Sequence, residues 1–207
     1  MSILPKLASA LQRRDEVPNQ ELAKLIADKR DTKAITELVH HLHNKDKNIS
    51  NDCIKVLYEI GAIHPDLIAG YADVFVELLT NKNNRLVWGA MAALHTITVQ
   101  NPEVIYHALP QILEVAEKGS VITKDQAISI LIKLMAIRKY TAHSFVLLAD
   151  QLKHCPTNQL PMYAEQAYPV IPQENKKLFI TILAARLDEI DKETKRKRVE
   201  KVIRKLQ

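Results

Sequence analysis

The fold is decided by a stretch that occurs twice, as NKDKNISNDCIKVLYEIGAIHPDLI at residues 44–68 and as NKNNRLVWGAMAALHTITVQNPEVI at residues 81–105. The two copies are offset by 37 residues. Each begins with a short polar turn, continues with apolar residues at three- and four-residue spacing, and ends at a proline followed by an acid. That spacing places the apolar residues on one face of a helix. We therefore take a repeat of 37 residues as the unit of the fold.

Further copies continue the same columns along the chain. One column contains only small residues, which allow a neighbouring helix to approach closely, and two others contain mainly large apolar residues. The three columns are Cys53, Ala90, Ala127 and Ala164; Leu57, Leu94, Leu131 and Tyr168; and Ile60, Ile97, Leu134 and Ile171. The segment before each of these helices carries its own stripe: Ile35, Leu38 and Leu42, then Ala72, Phe75 and Leu79, then Leu109, Ile112 and Ala116. Each unit is therefore predicted to be two helices joined by a polar turn.

A single helical hairpin cannot bury its apolar stripe, whereas stacked hairpins can, so the repeat predicts a solenoid. The segment NKDKNISNDCIKVLYEIGA resembles the second helix of HEAT repeats, and HALPQILEVAEKG, with Pro110, resembles their kinked first helix. The chain thus resembles the HEAT-repeat and armadillo-like α-solenoid family. The resemblance implies an all-α, right-handed α-α superhelix (a HEAT/ARM-like solenoid) of about five helical hairpins with N- and C-terminal caps.

We predict a single α-solenoid domain over residues 1–207, because no Pro-, Gly- or Ser-rich linker divides the chain. The N-terminal cap or partial repeat would place Leu22, Leu25 and Ile26 on one stripe. In the last helix, Val199 and Val202 would dock onto the stack. The expected parts are the cap at 1–30, repeats at 31–67, 68–104 and 105–140, a degenerate repeat at 141–171, and a C-terminal repeat with a basic cap helix at 172–207.

Composition and charge indicate where in the cell the protein acts and what it can bind. No apolar run approaches the roughly 18 residues that a membrane span needs, so we expect no membrane partner. The two cysteines, Cys53 and Cys155, are expected to be buried free thiols, which predicts a cytoplasmic location. The net charge of +5 comes from residues 192–207, where eight basic residues stand against two acids. The body of the chain is therefore nearly neutral.

No motif for catalysis, a cofactor or a metal stands out. The chain has no Gly-rich phosphate loop, no G-x-S-x-G and no C-x-x-C. His40 and His43 could share a helix face, but no third ligand has suitable spacing. The iron-dependent hydroxylases built from HEAT repeats carry His-Glu dipeptides, and this chain has none. We therefore predict a non-enzymatic protein without a cofactor.

The resemblance also implies a binding surface, because second helices line the concave face of HEAT-like stacks. The columns beside the core stripe place on that face Trp88, Tyr58, His95, Lys55 and Lys133. Aromatic anchors in such positions are typical of binding hot spots. The hypothesis is a scaffold that binds a protein or peptide, selected as acidic by the basic residues. The alternative for Trp88 is that it packs between neighbouring helices.

The C-terminal helix has two functional interpretations besides that of a charged cap. Clustered cations could neutralise phosphates or dock on an acidic partner. The bacterial DNA alkylation-repair glycosylases, which have HEAT-like helices, suggest nucleic-acid binding as the alternative function. The residues concerned are Lys195, Arg196, Lys197, Arg198, Lys201, Arg204 and Lys205.

Overall fold

The chain folds into helices, as the computed structural model shows for the residues that it describes, 2–207. Met1, the first residue of the predicted cap, lies outside the described residues. Residues 2–207 contain no β-strand. They contain α1 (Val17–Lys29), α2 (Thr32–His40), α3 (Lys47–Ile63), α4 (Ala72–Leu78), α5 (Asn84–Ile97), α6 (Pro102–His107), α7 (Leu109–Lys118), α8 (Val121–Met135), α9 (Thr141–His154), α10 (Leu160–Ala167), α11 (Lys176–Ala185) and α12 (Glu193–Leu206).

The repeat of 37 residues is visible in the starts of three helices. The helices α3, α5 and α8 begin at Lys47, Asn84 and Val121, so each starts 37 residues after the one before. The small-residue column falls on the same turn of each helix and is buried throughout, as are the leucine column of these helices and the stripes of the preceding helices. The local periodicity therefore predicted the buried faces correctly.

Two of these helices begin with the same device. Asp46 precedes α3, and its carboxylate accepts a hydrogen bond of 2.8 Å from the backbone N–H of Asn48. Asn83 precedes α5, and its side-chain oxygen accepts one of 3.1 Å from the N–H of Arg85. Each cap satisfies a backbone N–H that lacks a partner within the helix. The polar turns at the start of each copy are therefore helix-start signals.

The helices α3 and α5 pack closely because two glycines lie between them. A Cβ atom on Gly89 of α5 would lie closer to Ile54 of α3 than van der Waals contact allows. A Cβ atom on Gly61 would likewise clash with Thr96 and Ile68. Bulkier residues at these positions would force the helices apart. The pair α3–α5 forms the base of the surface described in the next subsection.

The described chain divides into two compact units, Met1–Ala127 and Ile128–Gln207, with the division inside α8. The first unit is closed at its N-terminal end by a buried polar network. Asn19 donates to Asp52 at 2.8 Å and accepts from the N–H of Ala8 at 3.0 Å. The predicted single domain with its repeat boundaries stays a prediction.

The second unit has its own apolar core, which includes Phe145, Tyr163 and Phe179. The buried guanidinium of Arg186 donates to the carbonyl oxygens of Leu152 and Cys155 at 2.9 and 2.7 Å. These carbonyls lie at the end of α9, where helix geometry leaves them without partners. Arg186 therefore fastens the end of α9 to the segment after α11.

Three details differ from the expectations. Leu25 is exposed, because the buried face of α1 centres on Leu22 and Ile26 and leaves Leu25 at its edge. Pro110 does not kink one helix but lies in the first turn of α7, after a break from α6. Cys155 is only half-buried, whereas Cys53 is buried and its pKa is raised to about 12 by burial.

Candidate functional site

Trp88 lies at the surface of the first unit. It is the fifth residue of α5, and the residues that point into the core from the same turns are Leu86 and Ala90. Its side chain remains 39% exposed, which is unusual for the largest apolar side chain. The small neighbours Gly89 and Ala92 leave space beside the indole ring. Trp88 is thus in part open to solvent and in part packed.

A cavity of about 320 Å³ lies on one side of Trp88. It brings together three of the residues predicted for the binding face, Lys55, Tyr58 and Trp88. Its walls come from α3, from α5 and from the first turns of α8. The lining residues are Asn51, Ile54, Lys55, Tyr58, Arg85, Trp88, Gly89, Ala92, Ile122 and Gln126.

The charged side chains of this cavity are already paired within the protein. The Nζ of Lys55 donates to Glu59 at 2.6 Å and lies 4.7 Å from the centre of the Tyr58 ring. Burial, the largest single influence, would lower the pKa of Lys55, but the hydrogen bonds and charges of Glu59 and Tyr58 together outweigh it, so this pKa is raised. Arg85 forms an ion pair with Glu16. The cavity therefore carries two cations whose charges are offset by neighbouring acids.

A second cavity, of about 500 Å³, lies on the other side of Trp88. Leu79, Val87 and Val115 supply its apolar wall, and Lys118 forms an ion pair of 2.6 Å with Glu114 at its rim. The remaining lining residues are polar or small: Thr80, Asn81, Asn84, Gln111, Gly119, Ser120 and Thr123. We use the name Trp88 face for the surface formed by the residues that line the two cavities.

Two oxygen atoms on the Trp88 face have no hydrogen-bond partner within residues 2–207 and are shielded from solvent. They are Ser120 Oγ in the larger cavity and Gln126 Oε1 in the smaller one. Buried polar atoms are usually hydrogen-bonded, so such atoms need an explanation. Sites that receive a ligand are one place where they occur.

The sequence did not predict the larger cavity or the contribution of Ile122. The cavity is formed by residues of α5, α7 and α8 and by the turns before α5 and α8, whose arrangement no local periodicity reveals. Ile122 is 51% exposed, and the equivalent residues of the two earlier repeats are Asn48 and Arg85. An isoleucine in an otherwise polar column was therefore a signal for an exposed apolar position.

The other two residues predicted for the binding face lie outside both lining sets. His95 is on α5, about two turns after Trp88. Lys133 is on the part of α8 that belongs to the second unit, and burial lowers its pKa. Their part in binding stays a prediction.

Several cations of the basic helix α12 contact α10 and the residues on either side of it. Lys195 donates to the side chain of Asn158 at 2.8 Å, and Lys205 donates to the hydroxyl of Tyr168 at 3.0 Å. Arg198 makes two hydrogen bonds to the carboxylate of Glu165, at 2.9 and 2.5 Å. The hydrogen bond from Arg198 lowers the pKa of Glu165. Three of the predicted binding cations therefore have intramolecular partners.

Of the remaining cations of α12, two lie near an acid of the same helix and two are exposed. Arg196 and Lys197 lie 3.8 and 3.5 Å from Glu193 on the same helix. Lys201 and Arg204 are exposed. With Lys197, they are spaced four and three residues apart and share the face opposite the buried valines Val199 and Val202.

Residues 2–207 contain neither a cluster that could bind a metal ion nor a helix that could span a membrane. No group of three or more His, Cys, Asp and Glu side chains is arranged to hold a metal ion. No helix in this part of the chain has both the length and the apolar content needed to span a membrane.

No protein-family model and no curated protein matches this chain. Solved structures do. A designed armadillo repeat protein in complex with the peptide (KR)4 has a TM-score of 0.71 and 14% identity, with 100% of each chain covered. An engineered protein has a TM-score of 0.68 and 16% identity, covering 100% of this chain and 97% of that one.

A third structure comes from work on a phosphorylation switch in the interaction between cadherin and beta-catenin. It covers 98% of this chain and 45% of that one, with a TM-score of 0.61 and 14% identity. At such identities the likeness shows the fold alone. The chain has the armadillo/HEAT-like α-solenoid fold, which confirms the all-α solenoid class predicted from its repeats.

Proposed function

We propose that this protein is a non-enzymatic scaffold that binds a protein or peptide segment on the Trp88 face. The observation that carries the proposal is the position of Trp88, whose partly exposed indole ring separates two cavities. A bound segment would cover this ring and fill the space on either side. Large aromatic side chains in such places supply much of the energy of protein interfaces.

The fold likeness adds support of a weaker kind. The designed armadillo repeat protein that resembles this chain binds a peptide, which shows that the fold can present a peptide-binding surface. That peptide is basic, whereas the sequence predicted an acidic partner for the present chain. The acidity of the partner and the cytoplasmic location both stay predictions.

The proposal is tested by removing the aromatic anchors. Peptides are first selected on the wild-type protein from a random display library. We expect the double variant Trp88→Ala, Tyr58→Ala to weaken the binding of the selected peptides at least about thirtyfold, since hot-spot residues contribute about 2 kcal/mol or more each. The dissociation constant is measured by fluorescence polarisation of labelled peptide.

The matched control is Val146→Ala, which also truncates an exposed apolar side chain but lies in the second unit. It should leave affinity unchanged. Circular dichroism melting shows that each variant is folded. Selected peptides that bind the folded double variant as tightly as the wild type would contradict the proposal.

A further inference from the structure

We infer that the segment recognised by the Trp88 face is an extended peptide with two uncharged, bulky apolar side chains two residues apart, one for each cavity beside Trp88. The inference rests on the proposed function, and it specifies the chemistry of the partner. Three observations on the Trp88 face carry it.

The first observation concerns charge. The charged residues that line the two cavities are Lys55, Arg85, Glu114 and Lys118. Each of them forms an ion pair within the chain: Lys55 with Glu59, Arg85 with Glu16, and Glu114 with Lys118. A charged side chain entering either cavity would have to break a pair or lose water without gaining an opposite charge, and both are unfavourable. The cavities therefore favour uncharged occupants.

The second observation concerns the apolar surface. Trp88 and Ile122 are 39% and 51% exposed, and they line the smaller cavity together with Ile54 and Ala92. The larger cavity has the wall formed by Leu79, Val87 and Val115. Exposed apolar surface of this kind gains free energy when an apolar side chain covers it. Volumes of about 320 and 500 Å³ leave room for large side chains.

The third observation concerns the backbone of the partner. Ser120 and Gln126 line different cavities, and Ser120 Oγ and Gln126 Oε1 each lack a partner within residues 2–207. Both oxygens are shielded from solvent, so each accepts from a bound segment only after its side chain rotates into the cavity. Carbonyl and hydroxyl oxygens accept hydrogen bonds from peptide N–H groups, which an extended segment leaves available along its length. Alternate residues of such a segment lie about 6.6 Å apart and point to the same side, so they can straddle one indole ring.

A peptide series tests this inference directly. Blocked peptides of Ser, Thr and Gln carry a Leu and a Phe two residues apart, or in the same two places a pair of Glu or a pair of Lys. A spacing control has Leu and Phe three residues apart. Because Trp88 is the only tryptophan, its fluorescence reports binding at this face. Calorimetry gives the dissociation constants.

We expect the apolar pair to bind at least about tenfold more tightly than either charged pair and than the spacing control. Equal or tighter binding by a charged pair would overturn the inference and leave the proposed function standing. If the library-selected peptides bind without perturbing Trp88 and are indifferent to Trp88→Ala, the proposed function fails, and the inference fails with it.

Two variants provide an independent test. Lys118→Met leaves Glu114 without its partner, and Glu59→Gln does the same to Lys55. The first should raise affinity for the Lys peptide by about two- to fivefold, because Glu114 is exposed and screened by water, and the second should raise affinity for the Glu peptide by about tenfold. Unchanged charge preference in both variants would show that these pairs do not face the occupant, and would overturn the argument from charge.

A third variant fills the smaller cavity. Ala92→Leu adds bulk at a half-buried wall position and should weaken the apolar peptide about tenfold with little change in melting temperature. The spacing control, which fails to use both cavities, should lose less. Equal losses for both peptides would overturn the assignment of one side chain to each cavity.

Discussion

The Trp88 face and helix α12 use the same kinds of side chain in opposite ways. On the Trp88 face, charged residues are held in ion pairs within the chain, while Trp88 and Ile122 remain partly open to solvent. On α12, the apolar Val199 and Val202 are buried, while Lys195, Arg198 and Lys205 make polar contacts around α10. The difference teaches that the most charged segment of a chain need not be its binding surface. A charged helix can use its charged side chains to dock on the rest of the chain. A nearly neutral region can leave apolar side chains exposed, where a partner could contact them.

The largest effect is expected on α3, where two adjacent residues point to different sides of the helix. Leu57 is buried and belongs to the repeated column, whereas Tyr58 lines the smaller cavity. We expect Leu57→Ala to lower the free energy of unfolding by about 2–5 kcal/mol. Tyr58→Ala should lower it by no more than about 1 kcal/mol, since it loses mainly a contact with Lys55. Urea unfolding measures both, and similar losses would show that Tyr58 is a core residue.

A second test concerns the base of the Trp88 face. Gly89→Ala would push a Cβ atom against Ile54 and should lower the free energy of unfolding by about 1–3 kcal/mol. The control is Gly70→Ala, because a Cβ atom there meets nothing within 4 Å. Its effect should stay within about 0.5 kcal/mol. If both glycines tolerate alanine equally, the close approach of α3 and α5 does not depend on Gly89.

A third test measures what charge contributes to the docking of α12. A double-mutant cycle on Arg198 and Glu165 should give a coupling energy of about 0.2–1 kcal/mol, because the pair is partly exposed and screened by water and salt. The matched control is Arg204→Ala, which removes an exposed cation of the same helix that is not among the groups lowering the pKa of Glu165. A coupling energy well above this range would mean that the ion pair contributes more to the docking of α12 than the burial of Val199 and Val202.

The same pair predicts a dependence on pH. The folded pKa of Glu165 is lowered below 4.5, so the unfolded chain binds the proton more readily. The stabilisation is therefore present above pH 4.5 and is lost as the pH falls through the lowered pKa. The stability difference between the wild type and Glu165→Gln should shrink on acidification. A stability difference that grows on acidification would contradict the prediction that ionised Glu165 stabilises the fold.

The smallest effect is expected for nucleic acid, the alternative function predicted from the basic helix. Lys197, Lys201 and Arg204 are exposed and share one face of α12, so duplex DNA should bind weakly. The slope of log affinity against log salt should be no steeper than about −3. The triple alanine variant should flatten it. A much steeper slope that survives the triple variant would indicate a phosphate-binding surface elsewhere and would favour the alternative.

The part of the fold that the sequence predicted is the part set by local periodicity. The column of Cys53, Ala90 and Ala127 is buried at the same turn of successive helices, because a helix turns its faces at a fixed rate. The pair of Lys55 and Glu59 was also readable, at a spacing of four residues. Lys55 was nevertheless predicted to help select acidic partners.

What the sequence did not predict depends on contacts between distant segments. Arg85 pairs with Glu16, 69 residues away, and no periodicity connects them. The larger cavity arises where α5, α7, α8 and the turns before α5 and α8 are brought together by helix packing. Arg198 has the same appearance in the sequence as Lys201, yet only the first meets a carboxylate on another helix. Binding chemistry was therefore harder to predict than architecture.

The spacing of the helix caps has a consequence for how this chain can change length. Asp46 and Asn83 stand directly before helices that begin 37 residues apart. Excising residues 47–83 would join Asp46 to Asn84, so the shortened chain would still place a side-chain acceptor in front of the next helix. Duplicating the same segment would preserve every such junction. Whole modules can thus be added or lost at this seam, while an insertion that is not a multiple of 37 residues would break the regular spacing of the helix starts.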